Sequence, residues 1–268
     1  MTPKNAERGT QLRFTGDLAA MAIERIREFE PPEGYWLAFS GGKDSIVVKQ
    51  LADESGVKYD AHYNVTGIDP PELVRFIRKH YPDVAWERAA RPLLAIIPGR
   101  GFPTRRARWC CEEYKERGGR GRILLTGLRS GESPRRRKRH GIISHYKVGS
   151  NRKTLVNPIL DWTHGDVWAF IRARSLPYCC LYDEAWNRLG CVLCPMNTNS
   201  ARDIARWPGI AKAWRRAFRK LWANRPHLQA IWSTGDAMFE GWANRRGSLD
   251  GDLAANEHCE LFGAGGSE

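Results

Sequence analysis

A chain of 268 residues can bury one large core, or one core with a helical appendage, without outside help. Its longest apolar runs, such as residues 93–97, are far too short to span a bilayer. Residues 1–30 also lack the apolar stretch and small-residue cleavage site of a signal peptide, so a cytoplasmic protein with no membrane partner is expected. The net charge of +13 is unevenly spread: residues 104–152 hold fifteen Lys and Arg against four Glu, a field that favours polyanions such as nucleotides, sulfate esters, RNA or DNA.

In chain order, the spacing of Leu18, Met21, Ala22, Ile26 and Phe29 predicts a helix over 17–29, stopped by Pro31-Pro32-Glu33-Gly34. Residues 35–39 form a short apolar run and read as a buried strand. Two glycines turn the chain, and Ile46, Val47 and Leu51 place a helix over 45–53. A second strand follows at 58–65, with 66–69 as its loop, and a helix over 70–81 opens with the early proline helices favour. Residues 84–87 and 122–126 complete the predicted strands. This alternation argues for an α/β fold, a doubly wound and mostly parallel sheet with helices on both faces.

Past that point the pattern changes. A helix is expected over 166–174, a loop-rich stretch over 175–190, and an amphipathic helix over 208–222. The apolar side of that last helix is Ile210, Trp214, Phe218, Leu221 and Trp222, and its other face carries Lys212, Arg215, Arg216, Arg219 and Lys220, which reads as solvated. The expected division is a nucleotide-binding domain at 16–175, a helical, cysteine-containing extension at 176–246, and a flexible Gly- and Ala-rich tail at 247–268.

The loop Ser40-Gly41-Gly42-Lys43-Asp44-Ser45 lies between a strand and a helix. Gly41 and Gly42 let the backbone turn and bring its N–H groups to an anion, and the helix start adds its positive dipole end there. Ser40 and Ser45 offer hydroxyl donors and Lys43 a point charge. The Walker spacing is absent. The loop instead resembles the PP-loop of the adenine nucleotide alpha hydrolases, which implies that it holds the pyrophosphate of ATP while the α–β bond is cleaved.

Of the seven cysteines, Cys110-Cys111 and Cys191-x-x-Cys194 make a four-sulfur set about eighty residues apart. Four thiolates can close a zinc site, hold an iron–sulfur cluster, or stay reduced in a core. Neighbouring cysteines diverge in direction, which suits a cluster with several irons better than one tetrahedral ion. Cys179-Cys180 is a second tandem pair, open to a redox or a packing role.

Arg108-Trp109-Cys110-Cys111-x-x-x-Lys115 is followed by Thr126-Gly127-Leu128-Arg129-x-x-Glu132-Ser133-x-x-Arg136. Then come Asn157-Pro158-Ile159-x-Asp161-Trp162-Thr163-x-x-Asp166-Val167-Trp168 and Gly190-Cys191-Val192-Leu193-Cys194-Pro195. This ordered series resembles the phosphoadenosine phosphosulfate (PAPS) reductase family over about residues 35–195. The resemblance implies that Cys110, Cys111, Cys191 and Cys194 ligate a [4Fe-4S] cluster. It also implies that Arg129, Glu132, Ser133 and Arg136, beside Gly127, line the nucleotide or substrate pocket. Assimilatory reductases of the family act on a ready-made sulfonucleotide, usually lack an intact loop of this kind, and carry a nucleophilic cysteine in a Glu-Cys-Gly-Leu-His tail. Here the loop is intact, and the tail reads Glu257-His258-Cys259-Glu260-Leu261-Phe262.

The leading expectation is therefore an ATP pyrophosphatase that adenylates an acceptor oxygen for sulfur incorporation. The ATP pyrophosphatases of DNA phosphorothioation are the nearest functional model, with tRNA thiolation enzymes more distant. Lys43, Asp44, Arg129 and Arg136 would carry the chemistry, with ATP and Mg2+ in the loop and Asp44 a contributor to the metal. The expected partners are a nucleic acid or other polyanion and a cysteine desulfurase. The alternative is an APS or PAPS reductase using Cys259 and thioredoxin; a nucleotide- or cluster-binding sensor without catalysis is the third.

Overall fold

The structure, a computed structural model, describes residues 7–132, 138, 140–148, 151–197 and 199–244. Ser133, Arg136, Cys259 and the expected tail at 247–268 lie outside the described residues. The chain falls into two units, each assembled from separate stretches. The first comprises Met1–Asn64, Pro71–Glu87 and Arg117–Leu189; the second comprises Val65–Pro70, Arg88–Glu116 and Gly190–Glu268.

In the first unit a six-stranded sheet runs in the order β3-β2-β1-β4-β6-β5. Its strands are β1 (Tyr35–Phe39), β2 (Tyr59–Val65), β3 (Ala85–Arg88), β4 (Ile123–Leu125), β5 (Ile143–Val148) and β6 (Asn151–Val156). β1 pairs in parallel with β2 and with β4, β4 in parallel with β6, and β5 lies antiparallel to β6 at the edge. Tyr35, Leu37 and Phe39 alternate inward along β1 and are at most 2% exposed, as a central strand requires. The helices α1 (Glu7–Glu28), α2 (Lys43–Ser55), α3 (Pro71–His80) and α6 (His164–Ala173) belong to this unit.

The α1 stripe differs from the expected one. Ala19, Ala22 and Ile26 are buried, whereas Met21 is 44% exposed, and the helix extends back to Glu7. Arg25 fixes α1 through a bidentate pair with Asp161, at 2.8 and 2.9 Å.

The β5–β6 hairpin was not anticipated. It is tied in by Asn157, fully buried, whose Nδ2 donates to the Gly141 carbonyl (2.9 Å) and to Ser144 Oγ (3.1 Å) while its Oδ1 accepts from Thr126 Oγ1. Thr163 and Asp166 form a capping box at the start of α6. Asn157, Asp161, Thr163 and Asp166 of the sequence motif are thus accounted for by architecture.

The second unit holds α4 (Leu93–Arg100), α5 (Trp109–Tyr114), α7 (Ser200–Arg206), α8 (Pro208–Asn224), α9 (Pro226–Ile231) and α10 (Gly235–Asn244). α8 buries Ala211, Trp214, Ala217, Phe218 and Leu221. Its aromatics meet Phe102, Phe239 and Trp242 in one cluster, with ring centroids 4.8–6.3 Å apart. On the opposite face Arg215 pairs with Glu240 and Arg219 with Asp236, so α10 neutralises part of the basic stripe. Lys212, Arg216 and Lys220 remain exposed, in line with a solvated face. Among the described residues no helix is long and apolar enough to cross a membrane.

Candidate functional site

β1 leads through α2 to β2 on one side and is flanked by β4 on the other. The crevice at the carboxyl ends of β1 and β4 is therefore where strand order reverses, the place at which open α/β sheets take ligands. A cavity of about 310 Å³ opens there, lined among others by Ser40, Gly42, Lys43, Asp44, Ser45, Thr126 and Gly127. The volume is at the low end of the roughly 300–1,000 Å³ usual for small-molecule sites.

The loop is internally fastened. Ser45 Oγ accepts the Ser40 N–H at 3.1 Å and donates to the Gly42 carbonyl at 2.9 Å, and Ser40 Oγ accepts the Gly42 N–H at 3.3 Å. Gly41 has φ +70°, and a Cβ there would lie 2.7 Å from the Ile77 side chain, so only glycine fits both the turn and the packing. α2 then begins at Lys43 with Gly42 as N-cap and no side-chain cap, which leaves its dipole end to the cavity. Gly127 is required for a different reason: a Cβ there would stand 2.8 Å from the carbonyl carbon of Asp44, so β4's loop presses directly on the first turn of α2.

Lys43 is 4% exposed. Its Nζ bonds Asp44 Oδ2 at 3.2 Å and the Asn187 carbonyl at 3.4 Å, and its main-chain N–H donates to the Tyr182 hydroxyl at 2.9 Å. Burial weakens the hold of Lys43 on its proton; Asp44 opposes this, while the charges of Arg129 and Arg188 add to it. Asp44 spends its other oxygen on Arg129 Nε at 2.6 Å. Both oxygens of the carboxylate expected to meet magnesium are therefore engaged by cations. Arg129 itself is 5% exposed, reaches back to the Trp162 carbonyl at 3.4 Å, and is not among the residues lining the cavity. It braces the loop from behind. Glu132 does line the cavity, as do Tyr182 and Arg188, to which the sequence had attached no role.

The four expected metal-ligating cysteines all fall in the second unit, and each is half-buried. Cys110 and Cys111 open α5. Cys191 Sγ donates to Thr66 Oγ1 at 3.5 Å, and the Val192 N–H bonds the Ile68 carbonyl at 2.8 Å. Leu193, between the pair, adopts φ +58°, and its N–H is held at 2.7 Å by Asp203, which is 1% exposed.

The thiols feel one another. Cys110 is raised by its hydrogen bond with Cys111, by burial, and by the charges of Cys111, Cys191 and Cys194. Cys111 is drawn down to about 6, first by that hydrogen bond and then, against burial, by Lys115 and Arg108. Yet among the described residues no group of three or more His, Cys, Asp or Glu side chains is arranged to hold a metal ion. Cys179 is buried in the first unit and its neighbour Cys180 is exposed.

Residues 34–197 match the phosphoadenosine phosphosulfate reductase domain, which is more than half of the chain. The chain belongs to that family. Within it, the chain is 28% identical over 216 residues to the phosphoadenosine 5'-phosphosulfate reductase of Gloeobacter violaceus, covering 73% of this chain and 87% of that one. Adenosine 5'-phosphosulfate reductase 2 of Bacillus subtilis is 26% identical over 192 residues, covering 65% and 79%. A protein of Methanocaldococcus jannaschii is 26% identical over 222 residues, or 78% of this chain but 44% of its own length, so the chain spans less than half of that relative. Among solved structures, FMN adenylyltransferase of Candida glabrata, in complex with FAD and inorganic pyrophosphate, matches with TM-score 0.50 at 13% identity, covering 76% of this chain and 77% of that one. That likeness concerns the fold alone.

Proposed function

We propose that this PAPS reductase-family protein binds ATP at Ser40-Gly41-Gly42-Lys43-Asp44-Ser45 and cleaves the bond between the α and β phosphates. The observation that carries the reading is the intact loop at the β1–β4 crevice, where the start of α2 and the buried Lys43 face one cavity. An acceptor oxygen attacks the α phosphorus, the bond to the bridging oxygen breaks, and pyrophosphate leaves. A sulfur nucleophile then displaces AMP from the adenylated position. The Lys43 ammonium and the uncapped dipole end of α2 stabilise charge on the departing pyrophosphate. The Asp44–Arg129 pair holds Lys43 in place, and Glu132, on the cavity wall, would be the carboxylate to hold magnesium, which would neutralise phosphate charge when bound. Arg136 and Ser133 keep the substrate-contacting role that the family motif implies.

Cys110, Cys111, Cys191 and Cys194 form an all-thiolate donor set in which two members are chain neighbours that diverge in direction, and that chemistry favours a [4Fe-4S] cluster over a single ion. The cluster would supply electron or sulfur chemistry; zinc is the lesser alternative. A nucleic acid is the favoured acceptor on the grounds of charge, and a cysteine desulfurase the sulfur source.

A second reading draws support from the two reductases named above: release of sulfite from a sulfonucleotide, with Cys259 as nucleophile and thioredoxin as reductant. One experiment separates the two. Anaerobically purified protein with Mg2+, ATP, nucleic acid and a cysteine desulfurase should yield AMP and pyrophosphate, and should release no sulfite from APS or PAPS with thioredoxin. Sulfite release that disappears in Cys259→Ser would sink the ATP reading.

A further inference from the structure

Tyr182, Arg188 and Leu189 line the cavity, and the segment that carries them is fastened to the phosphate loop at two points. The Tyr182 hydroxyl accepts the Lys43 main-chain N–H at 2.9 Å, and Lys43 Nζ donates to the Asn187 carbonyl at 3.4 Å. These bonds deliver the next residue, Arg188, to the cavity wall. Its side chain is exposed and, among the described residues, has no ion-pair partner, whereas Arg129 is committed to Asp44.

An arginine held at a cavity without a counter-charge presents five N–H donors in a planar fork, which matches phosphate or sulfate oxygens. Its field also reaches Lys43, whose proton it loosens. Two cations thus face one volume, and an anion lying between them relieves their repulsion.

We propose that Arg188 is the second phosphate-binding cation of this site, taking the pyrophosphate end of a nucleoside triphosphate together with Lys43, and that residues 182–189 form the strap that positions it. The proposal rests on the nucleotide reading of the cavity. It adds a residue and an element that the family motif did not supply.

The test is titration calorimetry of the full chain with Mg-ATP, inorganic pyrophosphate and adenosine as separate probes. An exposed arginine can be replaced with little effect on folding, which a thermal melt checks. Arg188→Ala should bind Mg-ATP and pyrophosphate at least about tenfold more weakly, the loss of one charge-assisted hydrogen-bond set, and adenosine as before. Arg188→Lys should recover part of the loss. Wild-type affinity of Arg188→Ala for Mg-ATP and pyrophosphate would overturn the proposal, and so would an equal loss for adenosine. If the wild type binds APS but not ATP, the ATP reading fails; the ratio of the two proteins for APS then decides on Arg188, tenfold supporting it and unity removing it.

Discussion

An arginine bonded on two sides has little left to offer a ligand. Arg129 donates to Asp44 and to the Trp162 carbonyl and is 5% exposed, so its removal leaves Asp44 Oδ1 without its partner and Lys43 as the one cation on that carboxylate among the described residues. Breaking a buried pair from one side typically costs about 3–5 kcal/mol. Arg129→Ala should therefore appear first as a lower denaturation midpoint. Arg129→Lys should rescue it poorly, because a point charge cannot serve both partners in the planes a guanidinium serves. Urea titration of both variants checks this; an Arg129→Ala protein with wild-type stability and no ATP turnover would return Arg129 to the chemistry. Arg188 shows the converse arrangement. From sequence, an arginine in a family motif and an arginine in an unassigned loop could not be ranked, because burial and counter-charge are tertiary facts.

At the scale of elements, the Cys-x-x-Cys turn depends on one helix. Asp203 on α7 accepts the N–H of Leu193 and, at 2.8 Å, the side-chain amide of Asn197. Burial raises its carboxyl pKa from 3.8, with the two hydrogen bonds opposing. The folded state thus holds this proton more tightly than the unfolded chain. The stability the group contributes is present in acid and is lost as pH rises through the raised value. Asp203→Asn removes that dependence, so its stability relative to wild type should climb as pH rises from 3.8 towards neutrality. Asp203→Ala removes the same titration and also strips the acceptor from Leu193, so its stability should run parallel to that of Asp203→Asn across the pH range, about 1–3 kcal/mol lower. Denaturation at several pH values separates the two, and parallel curves for wild type and Asp203→Asn would contradict the account.

Legibility at this scale followed local rules. β1, α2, α3 and α8 were readable because apolar spacing and early prolines announce them. The β5–β6 hairpin was not, since Lys147, Arg152 and Lys153 mask its alternation, and Lys153 is nonetheless 4% exposed with its ammonium on the Gly118 carbonyl. α4 escaped for a related reason: residues 93–97 read only as an apolar run, and Pro98, inside the helix, reads as a breaker.

For the whole molecule, a surplus of thirteen positive charges is a statement about partners rather than fold. If the acceptor is a nucleic acid, its binding must release counterions, and log K against log salt should fall by about 0.9 per phosphate neutralised on duplex DNA. A flat salt response would remove nucleic acid from the acceptors. The two units divide the expected chemistry between them, with the phosphate loop, Arg129 and Arg188 in the first and the four cysteines in the second. This split was hidden in the sequence because each unit is built from separate stretches of chain.

On the proposed function, the loop Ser40-Gly41-Gly42-Lys43-Asp44-Ser45 positions ATP for cleavage between its α and β phosphates. Phosphorus NMR of the products formed from Mg-ATP with nucleic acid, a cysteine desulfurase and cysteine present, wild type and Lys43→Ala run side by side, is the decisive measurement. The wild type should give AMP and pyrophosphate, and the variant should leave ATP unchanged. ADP and orthophosphate, or an equal yield of AMP from both proteins, would contradict that reading.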